Sequence, residues 1–234
     1  MQEQLLCDAK ISKLFFEAVN LQHSVLNSYH HRLIGPRFVG RIKLKKAISL
    51  LHQCVKRQDE LWSAHFLLGK IHQTLENHVL ALEHFYLAEN LTTPKAYLYS
   101  EIAFSMLYKD DDDLSPVLNY SENAMHLEPN NIESHQYHAL FCILNDDTTS
   151  ARKTLEIAYA LDESNKLTKT ISGVILTYEE GKAYRPNHYE LFDRMPYLVP
   201  TKKNKNDWFV LEKFPEEVTK QRDNKKGGPF SFDI

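Results

Sequence analysis

The stretch from Leu67 to Leu91, LLGKIHQTLENHVLALEHFYLAENL, carries apolar residues at helical spacing. Gly69 lies inside its first half, and Ala81 and Ala88 lie in its second half. Two antiparallel helices approach each other closely only where their side chains are small. Because Gly inside a helix costs about 1 kcal/mol relative to Ala, close helix contact is the expected reason for Gly69.

Small residues recur along the chain at a period of 34 residues with one insertion of two. One series has steps of 34, 36 and 34 residues and consists of Gly69, Ala103, Ala139 and Gly173. A second series has the same steps and consists of Cys54, Ala88, Ala124 and Ala158. The two extra residues fall in the stretch KDDDD, Lys109 to Asp113, which is predicted to be a turn between helices. The sequence therefore predicts repeated helix pairs, with close contact also expected at Gly173.

The pattern resembles the tetratricopeptide repeat (TPR), in which a Leu-Gly pair is followed by Ala, Phe and Ala at fixed spacing. The unit that matches best has Leu68, Gly69, Ala81, Phe85 and Ala88 at these positions. In later units the corresponding positions are held by Ala103, Ala124, Ala139, Ala151, Leu155, Ala158 and Gly173. The resemblance covers residues 41–180 and implies an all-α, right-handed α-solenoid of antiparallel helix pairs with one concave face.

The two ends of the chain depart from the repeat. Residues 1–40 are predicted to form N-terminal capping helices, with GPRFVG (35–40) as a loop because Pro36 interrupts a helix. TPR-like repeats occupy residues 41–181, and the last helix is predicted over 165–180. Residues 182–234 are predicted to be an irregular extension that packs on the solenoid end, because its aromatic residues need burial.

Composition excludes several classes of function. The net charge is −3, from 28 Lys and Arg against 31 Asp and Glu, so there is no electrostatic case for binding nucleic acid or an anionic membrane. The three cysteines, Cys7, Cys54 and Cys142, are too widely spaced to suggest a disulfide framework or a zinc site. Neither a secretory leader nor an apolar run long enough to cross a membrane is visible. We therefore expect a soluble, cytoplasmic protein.

The resemblance further implies that the inner face of each first helix lines a groove that binds a partner. Such residues are Phe66, Lys70, Gln73, Tyr97, Ser100, Phe104, Tyr108, Glu133, Gln136, Leu140, Thr170, Val174 and Tyr178. This aromatic and amide surface, with little charge, suits a peptide with apolar anchors. The alternative is that several of these side chains are core between helices or are covered by the C-terminal extension.

Some TPR proteins grip acidic chaperone C-termini with paired Lys and Asn residues in this groove. Lys70 resembles one such clamp residue. No Asn accompanies it, and Ser100 and Phe104 stand where further basic residues are needed. The pattern therefore disfavours a chaperone partner.

Histidines and aspartates offer two weaker metal signals. His65, His72, His135 and His138 occupy repeat positions where large side chains pack, which favours packing over metal binding. The aspartates before Leu114 lack the alternating ligands and Gly of an EF-hand, so a solvated turn is favoured, with Asp112 or Asp113 capping the next helix. No metal site is predicted.

No catalytic, phosphate-binding or dinucleotide motif is present, and no cofactor is predicted. The sequence thus predicts a non-enzymatic interaction module or adaptor, with another protein or a peptide as its partner. Two alternatives stay open. The chain is an accessory or regulatory domain of an enzyme system, or it is a scaffold that associates with itself as a homo-oligomer.

Overall fold

The computed structural model describes residues 9–26, 38–108, 113–179, 197–199 and 210–212. Its helices are α1 (Ala9–Leu26), α2 (Phe38–Arg57), α3 (Trp62–Thr74), α4 (His78–Asn90), α5 (Ala96–Leu107), α6 (Ser115–Leu127), α7 (Ile132–Leu144), α8 (Thr148–Leu161) and α9 (Lys166–Glu179). Two short strands follow, β1 (Tyr197–Val199) and β2 (Val210–Glu212).

The helices pack as successive antiparallel pairs, α1 with α2, α3 with α4, α5 with α6 and α7 with α8. The second helix of each pair contacts the first helix of the next pair, and the first helices also contact one another. The hydrophobic core runs between these helices from Phe15 in α1 to Ile175 in α9. This arrangement is an α-solenoid whose first helices form the inner layer, which confirms the predicted all-α architecture of helix pairs.

Close helix contact explains Gly69. A Cβ atom at this position would lie 2.5 Å from Cδ1 and 3.0 Å from Cζ of Phe85 in the partner helix. Phe85 is fully buried. Most other small residues of the repeat are fully buried as well: Ala81, Ala88, Ala103, Ala124, Ala139, Ala151 and Ala158. Small side chains therefore set the spacing of the helices.

Gly173 does not follow this expectation. The residue is exposed, and among the described residues no heavy atom lies within 4 Å of the position that a Cβ would take. In the earlier unit the contact at Gly69 comes from the second helix of the same pair. α9 comes after the last helix pair, so the expected close contact at Gly173 is wrong with respect to the described residues.

Two turns within helix pairs share one backbone geometry. Glu76, between α3 and α4, and Asp146, between α7 and α8, have positive φ angles of 66° and 63°. In the first turn the amide of Asn77 donates to the carbonyl of His72 at 2.9 Å, and the second turn repeats this bond. This hydrogen bond ends the first helix and reverses the chain within two or three residues.

Side chains accept hydrogen bonds from amides at the starts of two later helices. Asn165 Oδ1 accepts hydrogen bonds from the amides of Leu167 and Thr168, at 3.1 and 3.2 Å, directly before α9 begins. Asp113 Oδ1 accepts from the amide of Ser115 at 2.9 Å, but the N-cap position of α6 is held by Leu114, which makes no side-chain capping bond. Asp112 lies outside the described residues. The observed α9 agrees with the helix predicted over 165–180.

The N-terminal region differs in one detail from the prediction. Phe38, Val39 and Gly40 form the first turn of α2, so the predicted loop at 35–40 is wrong over its second half. Pro36 prevents a helix only on its N-terminal side, and the chain is free to begin one after it. The division into residues 1–40, 41–181 and 182–234 stays a prediction.

The strands β1 and β2 lie within the extension that was predicted to be irregular. They form an antiparallel two-stranded sheet in which Leu198 is opposite Leu211. The remainder of residues 182–234 lies outside the described residues, as does the predicted packing of this extension on the solenoid end.

Candidate functional site

A buried ion pair joins the inner helices of two neighbouring repeats. Lys70 Nζ in α3 lies 2.7 Å from Glu101 Oε1 in α5, and the two side chains are only 4% and 5% exposed. Lys70 Nζ also donates to Gln73 Oε1 at 3.2 Å, and Gln73 Nε2 donates to Ser105 Oγ at 3.0 Å. The Lys70 ammonium therefore has a carboxylate partner within the chain. A Lys that binds the carboxylate of an acidic ligand would not already be paired in this way.

A second polar contact joins the last two inner helices, α7 and α9. Gln136 Nε2 donates to Asn165 Oδ1 at 2.8 Å and to Thr168 Oγ1 at 2.9 Å. Asn165 is also the residue that caps α9. The side chain of Gln136 thus holds the start of the last helix against its neighbour, since hydrogen bonds between buried groups restrict their relative positions.

Three aromatic rings lie together where α3 and α5 meet. The ring centre of Tyr97 is 5.2 Å from that of Phe66 in an edge-to-face arrangement, and 6.5 Å from that of Trp62. Trp62 and Phe66 are buried, but Tyr97 is 39% exposed. Burial, and to a lesser extent the Glu128 carboxylate, raises the pKa of Tyr97 to about 12. The phenol is therefore a neutral hydrogen-bonding group on a firmly packed ring.

A second aromatic cluster lies at the other end of α5. The ring of Tyr108 stacks on His78 with centres 4.6 Å apart and planes 11° apart, and its centre is 5.0 Å from that of Phe104. Phe104 is buried, whereas Tyr108 and His78 are half-buried. The two clusters give α5 aromatic side chains at both ends.

The structure places the predicted groove residues at very different depths. Tyr97 is exposed. Half-buried residues are Ser100, Tyr108, Glu133, Thr170 and Val174. Buried residues are Phe66, Lys70, Gln73, Phe104, Gln136 and Leu140. The side chain of Tyr178 lies outside the described residues. Phe66 and Leu140 contribute to the hydrophobic core, as the alternative interpretation expects for core positions. A binding role for the whole set stays a prediction.

Sequence reasoning missed Trp62, Glu101 and Ser105. Trp62 lies three residues before the repeat position of His65, so the repeat pattern gave no reason to select it. Glu101 offered a signal, because it is the sole charged residue in the helix AYLYSEIAFSML. A charge within an apolar helix is rarely buried without a partner.

Four histidines from three helices meet around His84. Its ring centre lies 5.5 Å from that of His72, 5.6 Å from that of His65 and 6.2 Å from that of His52. The Nδ1 atoms of His65 and His84 are 3.4 Å apart, a hydrogen bond that requires one of them to be unprotonated. Burial, with the charges of the neighbouring histidines, lowers the pKa of His84 to about 4. Burial also lowers the pKa values of His65 and His72.

We expect acid to destabilise the protein through this cluster. The pKa of His84 is about 4 in the folded chain, below the usual 6.5. The unfolded state therefore binds more protons, and stability that is present above pH 6.5 is lost as the pH falls towards 4. Because His84 is only partly buried, we discount the effect to about 1–2 kcal/mol between pH 7 and pH 5. Urea denaturation at these two pH values measures it.

The control for this prediction is His126, an exposed histidine on α6. The variant His84→Gln should lose much of the difference between pH 7 and pH 5, and His126→Gln should keep it. Equal pH dependence of the wild-type protein and His84→Gln would contradict the assignment.

Among the described residues, no group of three or more His, Cys, Asp and Glu side chains is arranged to hold a metal ion. His135 and His138 make hydrogen bonds within the core, to the carbonyl of Pro129 and to Ser121 Oγ, both at 2.7 Å. Burial raises the pKa of Cys54 to about 11 and that of Cys142 to about 12, so neither thiol is activated. Cys7 lies outside the described residues.

A membrane-crossing helix is likewise not found in the described part of the chain, since no helix there is both long and apolar enough.

Several solved structures have a backbone similar to that of this chain. The crystal structure of MamA has a TM-score of 0.54 and 16% identity, over 66% of this chain and 87% of MamA. MamA 41-end from Desulfovibrio magneticus RS-1 has a TM-score of 0.52 and 16% identity, over 67% of this chain and 77% of that one. YrrB, described as a TPR protein with an unusual peptide-binding site, has a TM-score of 0.53 and 16% identity, over 80% of this chain and 90% of YrrB.

The chain has the TPR fold. No protein-family model and no curated protein matches the sequence, so the family resemblance is confirmed through structure. At 16% identity these relatives share the course of the backbone with this chain.

Proposed function

We propose that this TPR protein binds a segment of another protein on the inner face of its solenoid, with Tyr97 as the main anchor. The exposure of Tyr97 carries the proposal, because this is a large aromatic side chain on an inner helix that remains 39% exposed. Its ring packs against the rings of Phe66 and Trp62. A Tyr that is already held in place loses little conformational entropy when a partner covers it.

The surroundings of Tyr97 favour a partner segment with an apolar or aromatic anchor. Lys70 already pairs with Glu101, so its ammonium is not available to an acidic peptide. Ser100, Glu133 and Thr170 are half-buried polar residues on other parts of the inner helices. Apolar anchors flanked by a few hydrogen bonds are a common way for peptides to bind helical grooves.

This proposal includes three expectations from the sequence: the protein has no catalytic activity, needs no cofactor and acts in the cytoplasm. A role as a self-associating scaffold would use the same fold. Light scattering of the purified chain separates the two, because a scaffold would give a mass that rises with concentration.

We expect the substitution Tyr97→Ala to weaken peptide binding at least about tenfold, as for a central aromatic anchor. Peptides would be selected by display against the full chain, and their affinities measured by fluorescence polarisation. The matched control is Ile157→Ala, which removes an exposed apolar side chain from the outer helix α8. Circular dichroism would confirm that both variants are folded.

The comparison of the two variants decides the result. Loss of affinity in Tyr97→Ala alone supports the inner face as the site. Equal affinity of both variants, or loss in Ile157→Ala alone, would place binding elsewhere and refute the proposal.

A further inference from the structure

We propose that the first helix pair, α1 with α2, binds the surface of an anionic lipid bilayer. The residues involved form what we call the N-terminal basic surface, which consists of the exposed side chains of Lys13, Phe16, Phe38, Arg41, Ile42 and Lys45. The inference goes beyond the proposed function and does not depend on it, because it assigns a second type of partner to helices other than those that carry Tyr97 and the rings packed against it.

Charge is distributed unevenly along the chain, although the total is only −3. Residues 1–57 contain ten Lys and Arg against three Asp and Glu, whereas residues 58–234 contain 18 against 28. Helices α1 and α2 hold eight of these ten basic residues and a single acidic one, Glu17. Residues 1–8 and 27–37 contribute two acidic and two basic residues, which leaves the excess unchanged. The total charge gave no reason to expect an anionic partner, but such an excess in one part of the chain does.

In the first half of α2 the positive charges lie at the surface. Arg41, Lys45 and Lys46 are exposed. Lys46 Nζ lies 2.8 Å from Glu17 Oε1 in α1. Because Glu17 is the sole Asp or Glu of the two helices, its carboxylate offsets one positive charge out of eight. The next acidic residues in the sequence follow the other end of α2, from Asp59 onwards. The remaining excess attracts anions over about 8 Å at physiological salt.

Apolar side chains are exposed on the same side of α2. Phe38 is 78% exposed and Ile42 is 53% exposed. Phe38, Ile42 and Lys46 follow one another at four-residue spacing, which places them in one row along the helix. Arg41 and Lys45 form a second, neighbouring row with the same spacing. A helix that exposes apolar and basic side chains together is typical of proteins that bind at the interface of a membrane.

α1 extends this surface across the helix pair. The ion pair between Glu17 and Lys46 connects the two helices. Lys13 lies one helical turn before Glu17, on the same side of α1. Ile42 lies one turn before Lys46 in α2. Phe16 in α1 is 53% exposed and adds a second exposed aromatic ring. Both helices therefore contribute basic and apolar side chains to the N-terminal basic surface.

The apolar side chains distinguish a bilayer from other anionic partners. The outside of a nucleic acid duplex presents phosphates and sugars, which give Phe38 and Ile42 no apolar region to enter. A protein partner needs a packed, complementary contact area, whereas these two side chains extend into solvent. An anionic bilayer offers phosphates and carboxylates to Arg41 and Lys45, and acyl chains to Phe38 and Ile42 at a depth of about 5–10 Å.

The rest of the chain favours binding through this end. α3 packs against α2 and touches α1, so the first helix pair is fixed to the solenoid. Residues 58–234 hold 28 acidic and 18 basic residues, and an anionic bilayer repels this excess of negative charge. Attraction at one end and repulsion of the remainder orient the protein with α1 and α2 towards the lipid.

Co-sedimentation of the full chain with lipid vesicles tests the charges. We expect binding to vesicles of phosphatidylcholine and phosphatidylserine at about 2:1, but not to phosphatidylcholine alone, and binding should weaken as salt is added. The variant Arg41→Gln/Lys45→Gln should lose at least about tenfold in affinity, since each basic residue near the lipid contributes about fivefold. The matched control is Arg152→Gln/Lys153→Gln, two exposed basic residues of α8, which should bind like the wild-type protein.

The apolar side chains have a test of their own. Phe38→Ala/Ile42→Ala should weaken binding to the mixed vesicles by at least about tenfold, because both side chains lose their burial in the acyl region. The control Ile157→Ala/Leu161→Ala removes two exposed apolar residues of α8 and should have no effect. In the variant Phe38→Trp, fluorescence of the new indole should shift to shorter wavelength on binding and be quenched by brominated acyl chains. Circular dichroism verifies that each variant is folded.

Three results would overturn the inference. The first is equal binding, or none, with neutral and mixed vesicles. The second is an equal loss of affinity in the α8 controls. The third is a loss in Arg41→Gln/Lys45→Gln while Phe38→Ala/Ile42→Ala binds normally, because the surface would then not enter a bilayer. In that case, binding of a DNA duplex or of polyglutamate identifies the other class of partner. Peptide affinity at Tyr97 is measured without lipid, so failure here leaves the proposed function standing.

Discussion

Replacing Glu101 with Leu lowers the free energy of unfolding by about 3–5 kcal/mol, the range seen when one member of a buried ion pair is removed. The side chain of Lys70 is only 4% exposed and would stay buried in the variant. Its ammonium would lose the carboxylate that lies 2.7 Å away. Losing a counter-charge at a buried site is far more costly than losing a hydrogen bond between neutral groups. Urea denaturation followed by circular dichroism measures the change.

The double variant Lys70→Met/Glu101→Leu separates two causes of a stability loss. One is the loss of contacts made by the Glu101 side chain, and the other is the cost of burying the Lys70 ammonium without that carboxylate. Replacing both charges with apolar groups of similar size is often neutral, so the double variant should be clearly more stable than Glu101→Leu. Lys46 and Glu17 provide a matched pair at the surface, 2.8 Å apart and 59% and 41% exposed. Lys46→Met should change stability by less than about 1 kcal/mol. If Glu101→Leu is as mild as Lys46→Met, water reaches the inner ion pair and the burial argument fails.

The same ion pair has a consequence for binding. It fixes α3 against α5, the two inner helices that carry Phe66 and Tyr97. These rings are therefore held at a set distance before any partner arrives, and preorganisation of this kind reduces the entropy lost on binding. A variant that loosens the pair should consequently weaken peptide binding.

The period of the solenoid could be predicted from the sequence because it depends on local requirements. A small residue is needed wherever two helix axes approach, and this requirement recurs once in every unit. Ala81, Ala88 and Ala151 are fully buried as the period implies. The cap at Asn165 follows equally local rules, since it depends only on the two or three residues that follow.

The side-chain contacts between helices could not be predicted in the same way. Lys70 was expected to face a partner, but its carboxylate comes from Glu101, in the next repeat and 31 positions later. His84 was not recognised as the centre of a histidine cluster, because His52, His65 and His72 reach it from two other helices. Such contacts depend on side-chain directions between helices, which a repeat pattern does not specify.

Gly69→Val is expected to destabilise the protein by about 3 kcal/mol or more, at the upper end of the effects of overpacking. Even the Cβ atom would lie 2.5 Å from Phe85 Cδ1, well inside van der Waals contact. Phe85 is fully buried, so relief requires that the axes of α3 and α4 separate. The gain in helix propensity from replacing Gly is only a few tenths of a kcal/mol and does not offset this strain. Thermal or urea denaturation gives the difference.

Gly173→Val places the same side chain at the corresponding repeat position in α9. No heavy atom of the described residues lies within 4 Å of the new Cβ, so stability should change by no more than about 0.5 kcal/mol. A second control adds Phe85→Leu to Gly69→Val. The smaller side chain should relieve the clash and give a favourable coupling energy of about 0.5–3 kcal/mol. If the two substitutions are additive instead, Phe85 does not limit the approach of α3 to α4, and another contact must set the spacing of this helix pair.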